Sequence, residues 1–203
     1  MFKPFIAALA FGAATCVSIA QTAAPAAPPV RLRGTIEKID ATTLTMKERS
    51  GEVITLAMVD NIPVSEVKPI ALSDIKAGSY IGSAAMPQAD GTQLALEVLV
   101  FPEAARGSGE GHYPWDLQPK STMTNATVAD LVAAADGQKL TLRYKDGEKI
   151  LIVPANVPVV TFAPGDKSLL VPGAKVMVTA QVRDGKPTAM RILAGRNGFT
   201  PPM

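Results

Sequence analysis

An internal duplication constrains the fold of this chain more than any other feature. Leu44-Thr45-Met46-Lys47, the run from Ser50 to Leu56, and Asn61-Ile62-Pro63-Val64 all recur in the second half. Their counterparts are Leu140-Thr141-Leu142-Arg143, the run from Asp146 to Ile152, and Asn156-Val157-Pro158-Val159. Ala77-Gly78 returns as Pro172-Gly173, Asp90-Gly91 as Asp184-Gly185, and Ala95 to Leu99 as Ala189 to Leu193. The offset drifts only from 96 to 94, so few insertions separate the copies and one fold should serve both.

Each copy reads as short β-strands. Arg31 to Asp40 alternates, with Leu32, Ile36 and Ile39 as inward residues, and Leu44 to Lys47 and Val53 to Val59 follow as β-rich runs. Asp146-Gly147 is a hairpin dipeptide, because both turn positions tolerate positive φ. Ser73 can cap a helical turn that Gly78 ends, and the second copy repeats this from Asp166 to Gly173. Two more strands, Tyr80 to Ala85 and Leu94 to Phe101, are joined at Asp90-Gly91. The expected fold is all-β: two tandem small OB-like β-barrels, each with one short helix between strands 3 and 4. Closure removes exposed strand edges from a small unit, and a β-sandwich is the alternative. The expected repeats span 30–101 and 125–195, joined by a linker over 102–124 and followed by a tail over 196–203.

The start of the chain reads as an export signal over 1–20. Lys3 supplies the positive end, Phe5 to Ala20 the apolar stretch, and Ser18-Ile19-Ala20 the small residues of a cleavage site. An Ala/Pro-rich spacer follows over 21–29. The expected location is periplasmic, with no membrane span, because the apolar run falls short of the ~20 residues a spanning helix needs. Cys16, the single cysteine, lies in the signal; its removal excludes disulfides and thiolate chemistry, and acylation of Cys16 is the alternative. Of 20 Lys+Arg, loss of Lys3 leaves 19 against 18 Asp+Glu, a net charge of +1. With aromatics at 5% of the chain, that balance excludes a nucleic-acid-binding track.

The linker is the unduplicated segment, and it is too long for a simple connection. It holds the chain's single His, His112, and single Trp, Trp115, together with Glu110, Tyr113 and Asp116. Three readings stand. Tyr113 and Trp115, with His112 and Asp116, form a ligand or partner surface. Alternatively His112, Glu110 and Asp116 hold a metal, although a transition-metal site wants more nitrogen or sulfur ligands. Or Trp115 and Leu117 fold back to fill the seam between the barrels. No G-x-S-x-G elbow is present, and Gly107-Ser108-Gly109-Glu110-Gly111 lacks the lysine of a phosphate loop. No catalytic residue and no cofactor is therefore expected, and the chain is not read as an enzyme.

The residues also carry a resemblance. The opening Gly34 to Asp40, the strand Leu44 to Met46, and the turns Ala77-Gly78 and Pro172-Gly173 resemble the DUF5666 type of exported bacterial domain. The linker stretches Phe101 to Gly107, Glu110-Gly111-His112, Pro114 to Leu117 and Ser121 to Val128 are similar to those of a proteobacterial group carrying two such units. Similar chains bear the label metal ABC transporter permease, but a permease needs several spanning helices and this sequence offers none. The resemblance thus implies a metal-transport context at most. The expected function is a non-enzymatic periplasmic binding or scaffold protein acting on an unknown envelope protein or small ligand. An accessory role in metal handling, centred on His112, is the alternative.

Overall fold

The computed structural model describes residues 28–202; the export signal, Cys16 and most of the Ala/Pro spacer lie outside the described residues. The all-β expectation holds. Thirteen strands form one continuous sheet that curls on itself, and its connectivity is consistent with an OB-like barrel. Among the described residues no helix is long and apolar enough to cross a membrane.

The first ring joins β1 (Val30–Ile39), β2 (Thr43–Glu48) and β3 (Val53–Met58) to β12 (Lys175–Arg183) and β13 (Lys186–Gly195). β1 pairs antiparallel with both β2 and β12, β12 with β13, and the parallel pair β3–β13 closes the circuit. The second ring is its counterpart. β8 (Thr122–Ala134), β9 (Gly137–Tyr144) and β10 (Gly147–Pro154) close on β5 (Tyr80–Pro87) and β6 (Gln93–Val100). Bulges at Ile36/Lys38, Thr179/Ala180, Ala84/Ala85 and Val128/Asp130 give the strands the coiling that closure requires.

The strands of each ring therefore come from both repeats, and 30–101 and 125–195 do not each close on themselves as the sequence reading had it. The cause lies in two strands outside the five-strand pattern of each repeat, β4 (Val64–Pro69) and β11 (Val159–Pro164). β4 leaves β3 along the outside of β13, with Val64 beside Ile192, and pairs antiparallel with β11, Val67 opposite Phe162. Six extended residues carry the chain about 20 Å, which delivers β5 to the other barrel. β11 returns the compliment from the second repeat along β6, with Val159 beside Val98. Both copies offer near-equivalent edge strands, so exchanged closure satisfies the same ladder and the direction of β4 and β11 decides the outcome.

The cores record the exchange. In the first, Ile36, Leu44, Met46 and Leu56 pack with Val178 and Ile192 of the second repeat. In the second, Val128, Leu140, Leu142 and Leu151 pack with Ile81 and Val98 of the first. A third, smaller cluster of Val67, Leu99, Val160, Met177 and Leu193 sits between the barrels, with Phe101, Phe162 and Phe199 against it.

The expected short helices are instead single 3-10 turns over Leu72–Asp74 and Lys167–Leu169. Three residues cannot complete an α-helical turn before the left-handed glycines Gly78 (φ 85°) and Gly173 (φ 89°) reverse the chain. The first turn is not capped by Ser73; Asp74 accepts from the Ala71 N–H at 2.9 Å. The second is capped by Asp166, which accepts from the Ser168 N–H at 2.7 Å.

Gly34 sits where β1 is flanked by both β2 and β12, opposite Glu48 and Val176. A Cβ there would lie 2.1 Å from the Lys47 carbonyl oxygen, a backbone atom that cannot swing away. Gly34→Ala is expected to cost about 2 kcal/mol, read as a shifted urea midpoint with an unchanged slope.

Candidate functional site

The seam between the barrels carries the candidate site. The linker does not hang free. A 3-10 turn over Glu103–Ala105 leads to β7 (Gly111–Pro114), which pairs with β8, His112 opposite Thr124 and Tyr113 opposite Met123. Strand alternation then sends Tyr113 and Trp115 to the seam and His112 to the other side. A tight turn follows: the Trp115 N–H donates to the Ser121 carbonyl at 2.8 Å, and the Ser121 hydroxyl bonds the Gln118 carbonyl at 2.8 Å.

Asp116 ties this turn to the other barrel. Its carboxylate meets the Arg33 guanidinium at 2.7 Å and that of Arg31 at 3.5 Å. Burial alone would raise the Asp116 pKa, but the two arginines outweigh it and hold the carboxyl below its ordinary value. Arg31 in turn lies over the Trp115 ring, 4.0 Å from its centroid, and Tyr113 packs on the same indole at 6.2 Å. The Arg33 side chain is 10% exposed and Asp116 is 44% exposed, so solvent screens the pair from one side. Asp116→Ala is expected to cost about 1–2 kcal/mol and to red-shift the emission of Trp115 as its turn loosens.

Beneath the linker lies a cavity of about 250 Å³. The indole of Trp115, the phenol of Tyr113 and the rings of Phe101 and Phe162 form much of its wall, with Met123 and Met177 between them. Three buried polar atoms around it have no partner: Glu97 Oε2, Trp115 Nε1 and Asn125 Oδ1. Leaving such an atom unmatched costs about 1–3 kcal/mol each, and all three lie behind the cavity wall with almost no surface exposed to it. The Asn125 amide is fixed by its other end, which donates to the Ser108 and Gly109 carbonyls and to the Tyr113 hydroxyl at 3.1–3.2 Å. Gly82 leaves it room, since a Cβ there would sit 2.5 Å from Asn125 Oδ1.

Glu97 is the unusual charge. It is 1% exposed on β6, and desolvation lifts its pKa to about 7 against the opposing pull of the Ala84 backbone and the Arg33 charge. Burial thus favours its neutral form, which can donate as well as accept. Arg191 stands across the seam at the position equivalent to Glu97 in the other repeat. Its guanidinium lies 5.4 Å from the Phe162 centroid and makes no ion pair among the described residues, and desolvation pulls its pKa down.

Of the residues expected to bind a ligand, Tyr113 and Trp115 line the cavity, and Asp116 orients Arg31 beside it. His112 does not belong to it; its Nδ1 is 2.8 Å from the Thr124 hydroxyl, and desolvation and Lys149 lower its pKa. The expected metal trio is not assembled. Glu110 accepts from the Lys145 N–H at 3.0 Å and Asp116 faces the arginines, while His112 points elsewhere. Among the described residues no cluster of three His, Cys, Asp or Glu side chains could hold a metal. The candidates from sequence all lie in the linker, whereas Glu97, Asn125, Arg31 and Arg191 join the cavity lining from strands. One signal was available: Ala95-Leu96-Glu97-Val98-Leu99 places an acid in an apolar strand run. Compared with family models, curated proteins and solved structures, the chain has no match.

Proposed function

We propose that this chain is a non-enzymatic binding protein of the cell envelope that holds a small molecule in the seam cavity. The observation that carries the reading is a cavity of about 250 Å³ walled by Trp115, Tyr113, Phe101 and Phe162, with Arg31, Glu97, Asn125 and Arg191 among its lining residues. Ligand sites have this makeup: mostly apolar walls with a few placed polar groups. A binding role is favoured over hydrolysis because the one histidine is turned to Thr124, a residue that is itself buried. The envelope location rests on Lys3, the apolar run to Ala20 and the small residues before Gln21. We read both barrels as OB-type, since each circuit runs first, second, third, fifth, fourth strand, with the last two exchanged. The loops that frame the usual binding face of such barrels lie away from the seam cavity.

Trp115 is the single tryptophan, so its fluorescence reports on the site alone. A fragment screen by thermal shift is expected to yield binders that also alter Trp115 emission. Thr179→Phe, which places a ring into the cavity from β12, should abolish them. Binders that leave the emission unchanged and survive Thr179→Phe would remove the site from consideration.

A further inference from the structure

We propose that the first barrel carries a second site, apart from the seam cavity: a surface cleft that takes a phosphate group, free or as a monoester, on Arg49, Lys175 and Thr35. The cleft measures about 210 Å³. Arg33 and Thr35 line it from β1, Lys175 from β12 and Arg49 from the turn after β2, with Thr200 and Pro201 at its side. No acid is among its lining residues. Strand register brings the cations together. Thr35 pairs with Lys175, and the Arg49 N–H donates to the Arg33 carbonyl at 2.9 Å. Alternation sends Ile36, Met46 and Val176 into the core, which turns Thr35 and Lys175 outward.

The second barrel shows what the equivalent place holds. The repeat offsets of 96 and 95 make Lys145 the counterpart of Arg49 and Tyr80 that of Lys175. Asn125 is the counterpart of Arg33, because it pairs with Gly82 as Arg33 pairs with Met177. All three counterparts bind oxygens of the linker. The Lys145 N–H donates to the Glu110 carboxylate at 3.0 Å, and the Tyr80 hydroxyl to the Ser108 carbonyl at 3.2 Å. The Asn125 amide donates to the Ser108 and Gly109 carbonyls at 3.2 and 3.1 Å. On the second barrel the place is thus a seat for oxygen acceptors, filled by the linker turn and its one carboxylate. On the first barrel a guanidinium and an ammonium stand where the amide and the phenol do.

Charge sets the occupant. Asp116 answers Arg33. Arg49 and Lys175 make no ion pair among the described residues. Lys175 Nζ donates to the Thr35 hydroxyl at 2.7 Å, which leaves the Thr35 proton for an oxygen of the occupant. Two cations and a hydroxyl around one cleft suit a compact dianion with several oxygens. A phosphate group is one, and a guanidinium can meet two of its oxygens at once. A dicarboxylate spreads the same charge over two centres, and a monocarboxylate carries half of it.

The test is an NMR titration of the protein at pH 8 and fixed ionic strength, following the amide signals of Thr35 and Lys175. The probes are inorganic phosphate, glycerol 3-phosphate, succinate and acetate. At this pH the monoester is a dianion, its second pKa being about 6. Both phosphates are expected to bind in the millimolar range, at least about fivefold more tightly than acetate. Arg49→Gln and Lys175→Gln should each weaken them about threefold to fivefold. Lys145→Gln, on the second barrel, should leave them unchanged. Tighter binding of the monoester assigns the site to an esterified ligand, and equal or tighter binding of inorganic phosphate to the free ion; both uphold it. Succinate or acetate binding as tightly as the phosphates overturns the phosphate assignment. No shift with any probe, or an equal loss in Lys145→Gln, overturns the site itself. The seam cavity is tested separately, since Thr35, Arg49 and Lys175 do not line it.

Discussion

Replacing Ile192 by alanine is expected to destabilise the protein by about 3–4 kcal/mol, and to loosen the first repeat more than the second. Ile192 is fully buried, and its loss removes both transfer free energy and packing from a core that cannot collapse around the gap. Its place in sequence is the second repeat, but its neighbours are Ile36, Leu44, Met46 and Leu56 of the first. Hydrogen exchange separates the two possibilities. With exchanged strands, protection falls first in β1 to β3, which share a barrel with Ile192. With self-closed repeats it would fall in β8 to β10 instead, and that result would sink the exchanged arrangement. Urea unfolding followed by Trp115 emission and by far-ultraviolet circular dichroism should give one coincident transition. β4, β11 and the small cluster of Val67, Leu99, Val160, Met177 and Leu193 join the two barrels, which favours a single global transition.

The exchange was not legible in the sequence for a definite reason. Duplication makes Tyr80 to Pro87 equivalent to Lys175 to Arg183, so periodicity and turn chemistry identify these strands without saying which barrel receives them. That choice is made by β4 and β11, and neither announces itself: Val64-Ser65-Glu66-Val67-Lys68-Pro69 ends in proline and carries charges. Its Glu66 is buried nonetheless, because Arg196 meets it with two hydrogen bonds at 3.0 and 3.1 Å. The strands themselves, the hairpin turns and the left-handed glycines were legible, since each follows from local chemistry. The same division holds at the site. Tyr113 and Trp115 stood out as aromatics in an unduplicated segment, whereas Glu97 and Arg191 meet only because the barrels face each other across the seam. Side chains that depend on long-range placement leave a trace in the sequence only as an odd residue in a regular pattern.

Glu97 provides the second large effect, and its sign is opposite to that of the seven carboxylates whose pKa is lowered. Asp40, for instance, is held at about 2 by hydrogen bonds from Thr43 and Thr42, so it stabilises the fold once ionised. Glu97 has an ordinary value of 4.5 in the unfolded chain and about 7 in the fold. Between those values the folded protein binds the extra proton, so stability must fall as pH rises through that window. At about 1.4 kcal/mol per pH unit the loss reaches about 3 kcal/mol by pH 8. His112, whose pKa is lowered, works the other way over part of the same range, so the comparison is made against Glu97→Gln. The glutamine keeps the shape and stays neutral. Chemical denaturation at pH 5 and pH 8 should therefore show the wild type losing about 3 kcal/mol relative to the variant. Parallel curves for wild type and variant would mean that Glu97 is solvated through the cavity, and the raised pKa would have to be abandoned.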